Sequence, residues 1–339
     1  MVKMIKIGIV GTGFIGRVHA EAYKRIKNAR LVAVVDEEVE KGKEFAEKFG
    51  VSSYTNIEDL FNAEDINAVD ICTPTYSHLK VVEKVANAGK NILCEKPIAL
   101  TLEDADKMID VVKKNNVNAM VGHVLRFWPE YVKVKEMIDN KELGEPWHAY
   151  CERLAVSPDW RSFDDWGLKE ELSGGVSMDL QIHDLDYLIW LFGMPKLVKS
   201  QGYYNKAIGG LAHVGTGLEF ENNVSGLSEA GWAFQGAFPF TMVLRIVCEN
   251  GTIDWTFRAG KNIEERGKEF SLTVYKSDGT VYLPEVNKED PYYLELKYFV
   301  DCLEEGRKIE NATLVDGRNA LLVTLLTMKS AKEGGIEKI

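Results

Sequence analysis

The sequence has no Cys-x-x-Cys pair and no Cys/His grouping at metal-ligand spacing. Its five cysteines, Cys72, Cys94, Cys151, Cys248 and Cys302, are scattered. An odd and scattered set argues against a disulfide framework or a structural zinc, and suits a reduced, cytoplasmic setting with no metal site. Glutamine is confined to Gln181, Gln201 and Gln235 while Lys and Glu abound, which leans thermophilic. No apolar run reaches membrane-spanning length, and Met1 to Lys6 lacks the apolar core and cleavage site of a signal peptide. Basic residues are outnumbered: 41 Lys and Arg against 52 Asp and Glu give a net charge of -11. That balance excludes nucleic acid or an anionic membrane as the main partner.

What is present is globular: 45% hydrophobic and 27% charged residues over a chain of 339, too long for one ordinary core. Without repeats or a Pro/Ser-rich linker, two directly joined domains are expected, residues 1–122 and 123–339. The first opens with a β-branched run, Ile5 to Val10, then Gly11-Thr12-Gly13-Phe14-Ile15-Gly16, a helical pattern, and a second run, Leu31 to Val35, ending in Asp36. Strand, Gly-rich turn, helix, strand and acid make the full dinucleotide pattern. Gly11 permits the tight turn, Gly13 admits the pyrophosphate and Gly16 lets helix meet sheet, with Phe14 and Ile15 inside the turn. A 2′-phosphate would meet Asp36, Glu37 and Glu38 with no nearby Arg, so NAD is favoured over NADP.

The alternation continues to a strand at Asn118–Val121, with Thr101-x-x-Asp104 as a helix cap. This predicts a doubly wound parallel sheet, whose ligands sit beyond the carboxyl ends of the strands. Thr73-Pro74, His78 and Glu95-Lys96-Pro97 fall there. Lys96 can hold a substrate oxygen, or be an exposed loop lysine; His78 can touch the cofactor, or merely cap its helix.

From Pro146 the period changes to a run of strands with hairpin signals at Asn222-Asn223, Asn250-Gly251 and Asp278-Gly279, followed by helices at Tyr292–Leu303 and Leu314–Ala331. The expectation is an α+β domain with a large open-faced, mixed but mainly antiparallel sheet. Trp232, Phe234, Phe238, Phe240, Trp255 and Phe257 crowd these strands, as internal core or as a face that pairs with a second copy. Within this half lies Gly174-Gly175-Val176-Ser177-Met178-Asp179-Leu180-Gln181-Ile182-His183. Asp179 and His183 stand four apart, so on a helix they share a face. An imidazole backed by a carboxylate suits proton transfer near neutral pH. The same residues also suit a buried histidine beside a solvated aspartate.

Gly11-x-Gly13-x-x-Gly16, Glu95-Lys96-Pro97 and Gly174-Gly175-x-x-x-Asp179-x-x-x-His183 together resemble the Gfo/Idh/MocA oxidoreductases, over essentially the whole chain. The resemblance implies a Rossmann domain, an open-faced sheet, NAD(P) and a sugar or polyol substrate, with Lys96, Asp179 and His183 as the catalytic trio. It also implies that Trp160 and Arg161 flank the nicotinamide and that Arg126 belongs to the substrate pattern, although Val124 stands where many members carry Asn. Other readings of the same fold are a glycoside hydrolase using tightly bound NAD and a non-catalytic NAD-binding sensor. A homodimer or homotetramer through the open sheet face is expected.

Overall fold

The computed structural model describes residues 4–156, 169–205, 210–260, 268–269 and 271–339. The chain divides into two compact units, Met1–Trp128 with Glu289–Arg318, and Pro129–Lys288 with Asn319–Ile339. A single division after Gly122 differs from this in one main respect: Glu289–Arg318 returns to the first unit.

In unit 1 the strands are β1 (Ile5–Val10), β2 (Ala29–Val35), β3 (Ser52–Tyr54), β4 (Ala68–Ile71), β5 (Asn91–Cys94) and β6 (Ala119–Val121). They form one sheet in the order β3-β2-β1-β4-β5-β6, every pair parallel. The helices are α1 (Phe14–Tyr23), α2 (Val39–Phe49), α3 (Ile57–Ala63), α4 (His78–Asn87) and α5 (Leu102–Asn115). Thr101 caps α5, its hydroxyl accepting the Asp104 N–H at 3.1 Å. A parallel sheet is covered on both faces, so its central strands carry nearly continuous apolar runs. Accordingly Ile5, Ile7 and Ile9 are fully buried and pack with Ala20 and Tyr23 of α1 and with Leu296, Phe299 and Val300. Each such side chain contributes about 1.5–3 kcal/mol of burial.

Unit 2 holds α6 (Pro129–Asp139), β7 (Pro146–Val156), α7 (Glu170–Ser173), α8 (Ile182–Phe192), β8 (Leu197–Asn205), β9 (Gly210–Glu219), β10 (Ser225–Phe234), β11 (Thr241–Cys248) and β12 (Gly251–Arg258), then β13 (Lys268–Glu269), β14 (Thr273–Lys276) and β15 (Val281–Tyr282). Helix α9 (Pro291–Glu305) lies in unit 1, α10 (Leu314–Glu333) enters both, and β16 (Ile336–Lys338) closes unit 2. The sheet order is β15-β14-β12-β11-β7-β10-β9-β8-β16, with β13 beside β12. Among the described strands of this sheet only β7 and β10 run parallel, so the sheet is mixed and mainly antiparallel.

One face of this sheet is buried, through Ala149, Cys151 and Arg153 of β7, Ser228, Ala230 and Trp232 of β10, and Met242, Leu244 and Ile246 of β11. Helix α8 packs on β7 and β10. The other face is polar: Tyr150 donates to Glu152 at 2.7 Å and to Glu229 at 3.1 Å, and His213 lies 2.9 Å from Glu229. The aromatic residues expected as a possible pairing face divide otherwise, since Trp232, Phe240 and Trp255 are buried within the chain. Helix α6 has no counterpart in the sequence reading. The alternation Val132-Lys133-Val134-Lys135 mimics a strand and masks the helical recurrence of the buried Tyr131, Val134 and Met137.

Candidate functional site

In unit 1 the candidate residues sit on turns at the carboxyl ends of the strands. Gly11 has φ +102°, and a Cβ there would lie 2.6 Å from the Cys72 carbonyl oxygen. At Gly16 a Cβ would lie 2.3 Å from the Gly11 carbonyl oxygen, whereas at Gly13 it would meet nothing within 4 Å. The first and third glycines are therefore fixed by the protein's own packing, and the second leaves the backbone open to a ligand. Gly13 caps α1, whose first turn carries no acidic side chain, so the amide groups and the helix dipole offer an uncancelled positive field. Phe14 is exposed and Ile15 half-buried.

Asp36 is held at both oxygens. The Thr12 N–H and hydroxyl donate to Oδ2 at 3.0 and 2.5 Å, and the Glu38 N–H donates to Oδ1 at 2.9 Å. Its orientation is thus set by β1–α1 turn backbone, with lone pairs remaining for a sugar hydroxyl. These features fit an NAD adenosine and pyrophosphate.

His78 joins two turns rather than capping α4. It is buried, with Nδ1 3.0 Å from the Pro97 carbonyl oxygen and Nε2 2.8 Å from that of Thr73. It thereby ties the Thr73-Pro74 turn to the Glu95-Lys96-Pro97 turn. Burial outweighs the carbonyl oxygens and lowers its pKa, so the ring is neutral. A neutral ring donates from one of these nitrogens and leaves the other facing a carbonyl oxygen. In the second turn the Lys96–Pro97 peptide is cis. Glu95 is 7% exposed and accepts the Lys96 N–H at 3.1 Å, while Lys96 is half-buried.

Arg126 has a structural occupation. It is 4% exposed, and its guanidinium lies 3.2 Å from Asp316. Trp160 and Arg161 lie outside the described residues.

In unit 2, Gly174 and Gly175 have φ of +72° and +62°, two successive left-handed residues that turn the chain sharply after α7. A Cβ at Gly174 would also collide with Met178. Residues Ser177–Gln181 then form one wide turn, the Ile182 N–H bonding to the Ser177 carbonyl, before α8 begins. The expected regular helix is therefore a π-turn running into an α-helix, a feature frequent at functional sites. Its buried side is pinned to the sheet by polar bonds. Gln181 donates to the Thr216 hydroxyl at 2.9 Å and to the Ser228 carbonyl at 3.2 Å. Asp184 accepts from Arg153 at 2.9 and 3.3 Å, both residues being buried. Ser177, Gln181, Ile182 and Asp184 are fully buried, whereas Asp179 and His183 remain half-buried. The pinning residues set which side of the helix is left accessible.

Sequence reading passed over His19, Asp70 and Gln181. His19 and Asp70 form a buried cluster with Cys72, their N, O and S donors lying within 4.8 Å of one another. The atoms are engaged with each other: His19 Nδ1 is 2.9 Å from Asp70 Oδ2, and the Cys72 thiol donates to Asp70 Oδ1 at 3.3 Å. Burial pushes the Cys72 pKa up, which keeps it a thiol. An Asp inside the run Ala68–Cys72 was the available signal, since a buried carboxylate requires a partner.

Residues 5–123 match the oxidoreductase family with an NAD-binding Rossmann fold, and residues 131–254 match the GFO/IDH/MocA C-terminal domain. The chain is 29% identical to myo-inositol 2-dehydrogenase of Thermotoga maritima over 97% of both proteins. It is 32% identical to 2,7-anhydro-N-acetylneuraminate hydratase of Mediterraneibacter gnavus, over 91% of this chain and 88% of the relative. Matches to uncharacterized oxidoreductases of Bacillus subtilis and Streptococcus pneumoniae span 55% and 66% of those proteins. The crystal structure of myo-inositol 2-dehydrogenase from Lactobacillus plantarum superposes with a TM-score of 0.83 at 26% identity, covering 99% of this chain and 100% of that one. With an open Gly13 turn, a fixed Asp36 and both domains matched in order, the chain belongs to the Gfo/Idh/MocA oxidoreductase family and carries its NAD-binding Rossmann domain.

Proposed function

We propose that this protein is a dehydrogenase that oxidises a secondary hydroxyl of a cyclic polyol or sugar, inositol-like or aldose, with NAD preferred over NADP. The observation that carries the reading is the π-turn and helix whose buried side is pinned by Gln181 and Asp184, leaving Asp179 and His183 accessible. The family resemblance adds Lys96, on its turn in unit 1, to the proposed set. Gly11, Gly13, Gly16 and Asp36 would hold the dinucleotide, with Thr73, Pro74, His78 and Glu95 shaping the neighbouring turns. Bound NAD supplies the hydride acceptor. His183 takes the hydroxyl proton, Lys96 holds the same oxygen as it gains carbonyl character, and Asp179 orients a substrate hydroxyl or supports the imidazolium. The inositol dehydrogenase relatives support the substrate class.

The relative named as a hydratase favours a second reading. Here the cofactor stays bound and no net oxidation results, as in the NAD-dependent glycoside hydrolase alternative. A pure sensor is disfavoured because it would have no need of all three side chains. The polar open sheet face is the surface proposed for a homodimer or homotetramer. Among the described residues no helix is long and apolar enough to cross a membrane.

The test is absorbance at the NADH wavelength with NAD or NADP and a panel of inositols, aldoses and sugar acids. Net NAD reduction with one class is expected, and His183→Ala should lower its rate by about 10²–10⁴ while leaving NAD binding nearly intact. Turnover in the mutant equal to wild type would sink the assignment. Silence across the panel with NAD co-purifying would favour the reading without net oxidation.

A further inference from the structure

His19 is fully buried on α1, and each of its ring nitrogens faces a carboxylate. Nδ1 lies 2.9 Å from Asp70 Oδ2 on β4, and Nε2 lies 3.3 Å from Glu95 Oε1 after β5. Nδ1 makes the hydrogen bond to Asp70, whereas Nε2 faces Glu95 as an ion pair without a hydrogen bond of its own. A ring set between two acids in this way is favoured as the imidazolium. The other groups around it are acidic or neutral: the Cys72 thiol, Glu295 from α9, and Tyr23 from the next turn of α1, with the Tyr292 ring 6.1 Å away. Neither carboxyl oxygen of the fully buried Glu295 has a hydrogen-bond partner. Burial and the neighbouring Glu95 push its pKa well up, so it is held as the neutral acid. The His19 cation thus lies between Asp70 and Glu95, and the Lys96 charge also favours the ionised form of Glu95. Burial alone would lower the His19 pKa, but Asp70 above all, with Glu95, raises it to about 9.

The cluster has a direction. Glu95 Oε2 accepts the N–H of Lys96, and Glu95 Oε1 lies where a Cβ on residue 122 would come within 2.5 Å, a position occupied by Gly122. The carboxylate is drawn by the His19 charge on one side, hydrogen-bonded by the Lys96 amide on another, and set against the Gly122 backbone on a third. The residue it holds is the lysine that the proposed reaction needs.

We infer that His19 is a positioning residue: as an imidazolium it locks the Glu95 carboxylate onto the Lys96 amide and so fixes the turn from which Lys96 reaches the substrate oxygen. The functional half of this inference rests on Lys96 holding that oxygen. No proton leaves the cluster during turnover. His19 is needed for its hydrogen bond to Asp70, which fixes the ring, and for the charge it sets 3.3 Å from Glu95.

Two substitutions separate this role from packing. In His19→Gln the amide nitrogen takes the place of Nε2 and can still donate toward Glu95. In His19→Asn it replaces Nδ1 and keeps the bond to Asp70 while releasing Glu95. Asn is expected to lower kcat by about 10²-fold, the scale of a misplaced catalytic group. Gln should recover most of that loss, with the Kd for NAD unchanged in both. Equal kcat in the two variants, or wild-type kcat in Asn, would overturn the inference. Nitrogen-15 NMR of the wild-type histidines gives a readout that needs neither a variant nor turnover. His19 should carry protons on both ring nitrogens at neutral pH and titrate near pH 9; a neutral ring at pH 7 would overturn the inference. Lys96→Met isolates the underlying reading. Full turnover there would overturn the role of Lys96, whereas loss there with none in His19→Asn would overturn the role of His19 alone.

Discussion

Each unit buries charge behind its candidate site, and the two do it differently. In unit 2 the Arg153 guanidinium meets Asp184 with two bonds, one cation for one anion. In unit 1 the imidazole lies between Asp70 and Glu95, with Glu295 close by and the Lys96 charge also acting on Glu95. The first pair is complete in itself and does not depend on a titratable cation, because guanidinium stays charged at any working pH. The second is short of positive charge and stays folded by retaining protons. The balanced pair anchors a helix through side chains; the acid-rich cluster anchors a turn through the backbone of Lys96. Balance gives rigidity that pH does not alter, and imbalance makes the neighbouring turn sensitive to proton supply.

The largest expected effect breaks the balanced pair. Arg153→Ala leaves Asp184 buried without its cation and should destabilise the protein by about 3–5 kcal/mol. Arg153→Met with Asp184→Leu should recover much of that, as measured by urea unfolding. A single mutant as stable as wild type would mean that the pair is not desolvated as its burial indicates.

The next effect exposes the proton dependence of unit 1. The folded His19 pKa, about 9, lies above its ordinary 6.5. Its stabilising contribution is therefore complete below pH 6.5 and is lost as pH rises through 9, on the order of 3 kcal/mol in all. The raised Glu95 and Glu295 act with the same sign, being complete below their ordinary carboxylate value and diminishing above it. The unfolding midpoint should fall between pH 6.5 and 9.5, and His19→Gln should flatten that slope. An unchanged slope would assign it to other groups.

A smaller effect separates the ligand-facing glycine from the packing glycines. Gly13→Ala adds a methyl group in open space, so the melting temperature should hold while the Kd for NAD rises about tenfold, the equivalent of one lost hydrogen bond. Gly16→Ala should instead lower the melting temperature, through its clash with the Gly11 carbonyl. The smallest effect is a control remote from both clusters. Thr101→Ala removes the cap of α5 and should cost about 1 kcal/mol of stability with no change in kcat.

Much of the fold was legible in the sequence because local periods coincide with the tertiary answer. Ile5 to Val10 is a buried strand, Gly11 to Gly13 a turn into α1, and Leu102–Asn115 a capped helix. Legibility failed where two periods overlap, as in the Val-Lys alternation inside α6. It also failed where one side chain serves distant partners: His78 reads as a helix cap and proves to join two turns. Asp179 and His183 were legible as a spacing, but the π-turn that carries them was not. That widening depends on two successive left-handed glycines and on bonds from Gln181 to β9 and β10, which no local pattern contains.

By itself the sequence determined the parallel first sheet, the dinucleotide turn and the resemblance that identifies the family, since each follows from residues close together in the chain. Only the tertiary structure decided that Glu289–Arg318 joins the first unit, that Arg126 is buried against Asp316, and that His19 lies between Asp70 and Glu95. Those groups are 51 to 190 residues apart. Their charges acquire meaning only when burial removes water and each must find its counter-group inside the fold.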